Sequence, residues 1–213
     1  MNIYFDIETG PRPKAELLAD LPPFDPECVK IGNIKDPAKI SDKIAEAKLR
    51  HESDYVDKAA LDALTGQVVA IGYKGEESSV QFLLGDEAQM LADFWRATSD
   101  SRGVPHRVIG FNSSKFDLPF LIRRSWKHRI KIPRQIRSGR YWSDYMVDLR
   151  DIWSLGEYQC RGSLDAVARH LGVGAKNGEG ANFAQLLQVD KERALDYLRN
   201  DVELVERIAD IVL

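Results

Sequence analysis

Cysteine is scarce in this chain: Cys28 and Cys160 stand far apart in 213 residues and belong to no CxxC arrangement. That argues against a disulfide framework and a thiolate metal site, and it points to a reducing, cytoplasmic setting. No uninterrupted apolar run approaches the roughly 18 residues of a membrane span. Met1-Asn2-Ile3-Tyr4 enters a strand pattern with neither a basic n-region nor an apolar h-region before it, so no secretion signal and no membrane partner are expected. Positive charge is not in excess either: 30 Lys and Arg against 33 Asp and Glu leave a net charge of -3. Any affinity for nucleic acid must therefore come from a local patch. The chain has no internal repeat and no low-complexity tract.

What is present suffices for a core, since 44% of the residues are hydrophobic, and the length suits a single domain spanning 1–213. Ile3 to Glu8 reads as a strand. From Gly10 to about Thr65 the composition changes, with Pro11, Pro13, Pro22, Pro23, Pro26 and Pro37 followed by Lys- and Glu-rich sequence. We read an insertion at about 10–66 between the first and second strands. Its first part is expected to be irregular, and two polar-surfaced helices are expected over Pro37–Arg50 and Ser53–Leu64.

The core resumes with apolar runs at Gln67–Tyr73 and Ser79–Leu84, separated by turn-forming Lys74-Gly75-Glu76-Glu77, which makes the first three strands an antiparallel meander. Asp86–Thr98 carries Met90, Leu91, Phe94 and Trp95 at helical spacing behind a capping Asp86. Arg107–Phe111 and Tyr145–Leu149 read as short strands and Leu118 to about Ile130 as a helix. Ser163 caps a helix through Leu171, and Asp190 caps a last one with Leu198, Val202, Val205, Ala209 and Val212 in one stripe. Helices interleaved with strands imply an α/β layering.

Carboxylates stand at telling positions in this framework. Asp6 and Glu8, two apart in Phe5-Asp6-Ile7-Glu8-Thr9, project from one strand face with β-carbons roughly 6 to 7 Å apart. They repel, and a divalent cation relieves that most simply. Tyr197 and Asp201, four apart in the last helix, share a face. Asp117 follows a short strand at a helix start. Each has an ordinary alternative: an exposed strand face, a chance pair on an amphipathic helix, a helix cap. Their order and internal spacings carry the reading: four acids with no nearby base can hold two divalent cations, and two cations can hydrolyse a phosphodiester. Asp144, Asp148, Asp151 and Asp165 remain competitors for site roles.

With these motifs the chain resembles the DEDD 3′-to-5′ exonucleases of the RNase H-like superfamily, in the subgroup with tyrosine in the third motif. Phe5–Thr9 is similar to their first motif, Asn112–Asp117 to the second and Tyr197–Asp201 to the third. Ser163-Leu164-Asp165-Ala166-Val167-Ala168 and Leu171-Gly172 resemble the corresponding region of the proofreading domains of family B DNA polymerases. The related subgroup has histidine five residues before the final acid; here that position is Asp196, and none of His51, His106, His128 and His170 substitutes. The resemblance covers residues 1–9 and about 67–213. It implies an RNase H-like fold, a mixed five-stranded sheet with the first three strands antiparallel, flanked by helices. It also implies two Mg²⁺ or Mn²⁺ ions, with Asp6 bridging both, Glu8 and Asp201 completing one site, Asp117 holding the other, and Tyr197 orienting the attacking water. Thr9 and Asn112 are carried over as neighbours of the terminal nucleotide.

From Leu118 to Ser143 there is no acid, but there are Arg123, Arg124, Lys127, Arg129, Lys131, Arg134, Arg137 and Arg140, with Trp126, Tyr141 and Trp142 among them. Cations can bind phosphates and rings can stack unpaired bases, so Arg123 and Arg124 are candidate substrate contacts; the ordinary alternative is a solvated helix face with core tryptophans. Phe116 reads as a core residue behind Asp117. The expected substrate is single-stranded DNA or a frayed 3′ end. An exoribonuclease with the same residues and a silent nucleic-acid-binding module are the alternatives, and the insertion at 10–66 is a possible docking surface for a polymerase or another replication or repair partner.

Overall fold

In a computed structural model of the chain, residues 1–136, 145–157, 162–178, 180 and 183–213 are described. They divide into two compact units, one formed by Met1–Thr9 with Val68–Leu213 and one by Gly10–Gln67. Cys160, Asp144, Arg137, Arg140, Tyr141 and Trp142 lie outside the described residues.

The larger unit is built on a five-stranded mixed sheet. Its strands are β1 (Asn2–Pro11), β2 (Gly66–Gly75), β3 (Gln81–Leu84), β4 (Arg107–Gly110) and β5 (Met146–Asp148), in the order β3-β2-β1-β4-β5. β2 and β3 are antiparallel, with Ile71 opposite Leu83. β1 runs parallel to β4, with Tyr4 beside Ile109, and β4 parallel to β5, with Gly110 beside Asp148. In parallel sheets sites form beyond the carboxyl ends of the strands. Here that edge holds Asp6, Glu8, the loop after β4, and Asp148.

Helices α3 (Glu87–Ala97), α4 (Asp117–Lys127), α5 (Leu149–Ser154), α6 (Leu164–Leu171), α7 (Phe183–Val189) and α8 (Lys191–Val212) flank the sheet; α1 (Lys14–Ala19) and α2 (Pro37–Lys58) belong to the smaller unit. The expected caps are in place: Asp86 accepts from Gln89 N–H at 2.9 Å, Ser163 from Ala166 N–H at 3.2 Å and Asp190 from Arg193 N–H at 3.1 Å. Period-two alternation divides β1 between two sides. Phe5 meets Phe94 of α3 at 5.5 Å between ring centres, whereas Tyr4 joins the core formed with Leu198, Val202 and Val205 of α8. α4 ends three residues short of the expected Ile130: Arg129 turns left-handed at φ 57°, and Ile130 N–H closes the end on Ser125 O at 2.8 Å. The short helices α5 and α7 were not legible in the sequence.

In the smaller unit the proline-rich stretch begins with a short helix, α1 (Lys14–Ala19), where irregular chain is expected. The two expected helices are one, α2 (Pro37–Lys58), capped by Asp36 and followed by a 3₁₀ turn at Ala59–Leu61. His51 and Glu52 between the expected pair include no glycine or proline to break the helix, and i,i+4 ion pairs support it on either side of them, Glu46–Arg50 before and Asp54–Lys58 after. Among the described residues, no helix is long and apolar enough to cross a membrane.

The sheet and α8 approach closely at Gly72. A β-carbon there would lie 2.8 Å from Leu198 Cγ and 3.0 Å from Val202 Cγ2. Gly72→Ala should therefore destabilise the fold by about 1–3 kcal/mol, the usual cost of overpacking. Urea denaturation checks this, and an unchanged midpoint would show that α8 has room to retreat.

Candidate active site

The alternation that sends Phe5 and Ile7 toward one layer turns Tyr4, Asp6 and Glu8 toward the side of α8. There Tyr197 and Asp201, one turn apart, present a phenol and a carboxylate, 5% and 2% exposed. One oxygen each from Asp6, Glu8 and Asp201 lie within 4.8 Å of one another. Asp117 stands outside that triplet but lines the same cleft, of about 240 Å³, together with Tyr197, Asn112, Phe116 and Lys176. Beginning, middle and end of the larger unit thus converge on one concavity.

Asp117 is the first residue of α4 and only 6% exposed. It is reached through a tight loop in which Asn112 adopts a left-handed φ of 60°. Asp148, at the end of β5, holds that loop. Its carboxylate accepts from Asn112 N–H at 2.8 Å, Ser114 N–H at 2.9 Å and Ser114 Oγ at 2.6 Å, and from Arg150 N–H at 2.9 Å. Arg150 in turn donates to Asn112 Oδ1 at 2.9 Å. Asp151 accepts from Ser114 Oγ and Lys115, and Asp165 from Arg169 and from Lys176 N–H. These three competing acids are thus engaged in holding loops.

Burial pushes all four site carboxyls upward. In Asp6, raised well above the ordinary range, the charges of Asp117, Glu8 and Asp201 add to it. In Glu8, Asp201 adds most. Asp117 is pushed up to about 7 by burial and by Asp148, with hydrogen bonds from its own N–H and that of Ile7 partly offsetting the rise. Asp201 is raised by burial despite Lys176. Burial and the neighbouring carboxylates likewise drive the Tyr197 phenol far above its ordinary range, so it keeps its proton.

Lys176 is a functional-site residue the sequence reading missed. Its ammonium contacts Asp201 Oδ2 at 2.5 Å, lies 4.9 Å from the centre of the Tyr197 ring, and its charge lowers Asp6, Glu8 and Asp201. Asp165 fixes its backbone through the N–H at 2.8 Å. A lone lysine in a glycine-rich loop carries no sequence signal of such a role. The same loop passes so close that a β-carbon at Gly178 would lie 2.9 Å from Tyr197 Cδ2, and one at Gly180 3.1 Å from the Tyr197 hydroxyl and 3.5 Å from Glu8 Oε2.

Two of the proposed substrate contacts are placed away from the cleft lining. Thr9 alternates to the face opposite Glu8, and Arg123 is exposed on α4. Arg124 is a correction: it is 4% exposed, with its guanidinium on Glu87 at 2.8 and 2.6 Å, and Glu87 also accepts from Val68 N–H and meets His128. Its place in the helix stripe turns it into the core, where a charge must be paired. Phe116 is partly exposed on the cleft and also packs against Phe120 at 5.7 Å.

A family model described as a predicted 3′-5′ exonuclease related to the exonuclease domain of PolB matches residues 58–203. That span contains Asp117, Lys176, Tyr197 and Asp201; Asp6 and Glu8 precede it. Among solved structures, the family B DNA polymerase from the hyperthermophilic archaeon Pyrobaculum calidifontis is similar over 98% of this chain, with a TM-score of 0.63 and 18% identity. This chain spans 24% of that polymerase, and the likeness is one of fold. No curated protein is similar to the chain.

The raised carboxyls set a pH dependence. Folding lifts their pKa values above those of the unfolded chain, so between about pH 4 and the value of about 7 for Asp117 the folded form holds protons that the unfolded form has shed. Their contribution to stability is present below that window and is lost as pH rises through it. In EDTA, thermal unfolding should therefore move to lower temperature as pH climbs through this window, more steeply in Lys176→Met. Mg²⁺ or Mn²⁺ should restore it most at the upper end. A flat profile would contradict the repulsion described here.

Proposed function

Because the chain belongs to the family of predicted 3′-5′ exonucleases related to the exonuclease domain of PolB, we propose that it hydrolyses the terminal phosphodiester of single-stranded DNA. It would release nucleoside monophosphates from the 3′ end, with Asp6, Glu8, Asp117, Asp201 and Tyr197 as the working residues and two divalent ions, Mg²⁺ or Mn²⁺, as cofactors. One observation carries the reading: three buried or half-buried carboxylates offer oxygens within 4.8 Å of one another, while Asp201 Oδ1 is buried without a hydrogen-bond partner among the described residues. Left anionic, such a cluster is unfavourable, and an oxygen-preferring cation satisfies both the charge and the orphaned oxygen.

The donor set fits the ions. Asp6, Glu8 and Asp201 would hold one, and Asp117 with Asp6 the other. When bound, such ions polarise the phosphate, lower the pKa of water and stabilise the departing 3′-oxygen. Tyr197, kept protonated by its acidic neighbours, donates a hydrogen bond and orients rather than abstracts. Lys176 balances charge on Asp201 and holds the rim of the cleft beside the phenol. The concave cleft suits a terminus that has left its duplex, since a paired strand cannot bend its phosphate into so small a space.

A 5′-labelled DNA oligomer with Mg²⁺ or Mn²⁺ should give a descending ladder that EDTA and Asp117→Ala both abolish; a parallel RNA oligomer decides the sugar preference. Full-length label surviving in every metal would end the proposal. The division of roles is tested separately. Tyr197→Phe should lower turnover by about 10²-fold or more with Mn²⁺ affinity nearly intact, whereas Asp6→Ala should lose both. Calorimetric titration beside the rate measurement checks this, and equal loss of metal in the two variants would refute the role given to Tyr197.

A further inference from the structure

The surface of α4 divides the acid-free basic run into two parts. Arg124 and Ser125 face inward, Ser125 accepting from Trp95 Nε1 at 2.8 Å. On the outer side Phe116, Pro119, Arg123 and Trp126 succeed one another at three- and four-residue steps, and Lys127 lies four residues after Arg123, so they form one stripe. The stripe starts at the cleft, which Phe116 lines, and runs away from it along the helix. Trp126 is 58% exposed, whereas Trp95 is buried. Beyond the helix end Arg129, Lys131 and Arg134 are exposed. No acid occurs between Leu118 and Ile136. Among the described residues, Arg123, Lys127, Arg129, Lys131 and Arg134 make no ion pair, so this acid-free surface keeps its positive charge unneutralised by neighbouring carboxylates.

An exposed indole flanked by unpaired cations puts a flat stacking face and phosphate partners on one surface, the combination that binds unpaired nucleic acid. We propose that this stripe is an upstream track for the substrate strand, with Trp126 stacking on an unpaired base and Arg123 and Lys127 on the flanking phosphates. It rests on the nuclease reading and adds to it a place for the strand outside the cleft. Phe116 to Trp126 is about 15 Å along the helix axis at 1.5 Å per residue. At about 3.4 Å per stacked nucleotide that places the stacked base roughly four nucleotides 5′ of the terminus.

The test is a series of oligothymidylates lengthened one nucleotide at a time from the dinucleotide, with KM and kcat measured at each length. In the wild type KM should fall until the oligomer reaches Trp126 and then level off. Trp126→Ala should raise KM for the longer members by roughly tenfold, with the defect shrinking as the oligomer is shortened; Trp126→Phe should restore most of it. Replacing Arg123 and Lys127 by alanine should reduce the salt dependence of KM. Fluorescence quenching of the wild type relative to Trp126→Phe reads base contact whether or not hydrolysis occurs. Quenching without hydrolysis would sink the catalytic reading and leave the track. Hydrolysis with the same KM profile in Trp126→Ala would sink the track alone, as would quenching by anionic lipid vesicles but not by oligomers.

Discussion

Mutual repulsion among carboxyl groups held out of water governs the architecture of the larger unit. Asp6, Glu8 and Asp201 would separate if they could, and the fold denies them the means. Two are fixed by adjacent positions on one face of a sheet strand whose other face is wedged against Phe94. The third sits in the middle of a helix whose flanking turns are sealed into the core by Leu198, Val202 and Val205. The stability of the surrounding apolar packing keeps these like charges together, and the resulting tension is what makes the site receptive to a small hard cation.

Much of this was legible in the chain. The period-two placement of Asp6 and Glu8 and the four-residue step from Tyr197 to Asp201 are local geometry, and local geometry survives folding. The caps at Asp86, Ser163 and Asp190 were legible for the same reason: each side chain answers a backbone N–H three residues away. The α/β layering followed from helices interleaved with strands, and the mixed five-stranded sheet from the family resemblance.

What escaped the sequence was set by partners distant in the chain. Arg123 and Arg124 look alike in a basic run, yet one is solvated and the other is buried on Glu87, and only the helix phase against α3 distinguishes them. Lys176 has no motif around it; its position depends on Asp165 and on where α8 lies. The break expected near His51 in α2 was an error of a different kind, since polar residues without glycine or proline are no reason for a helix to stop. Asp148 looks like a rival for metal in the sequence, and only the four donors placed around it show that it braces the loop before Asp117.

That brace changes how the acids of this protein should be ranked. Asp117 owes its position to a loop whose left-handed turn at Asn112 is secured by a carboxylate that does not line the cleft. Loss of that carboxylate would leave a strained bend with nothing to hold it, and the second motif would drift from the first. A census of essential side chains by inactivation alone would therefore credit the reaction with one acid too many, because an anchor and a ligand fail alike when the distance between them is what matters.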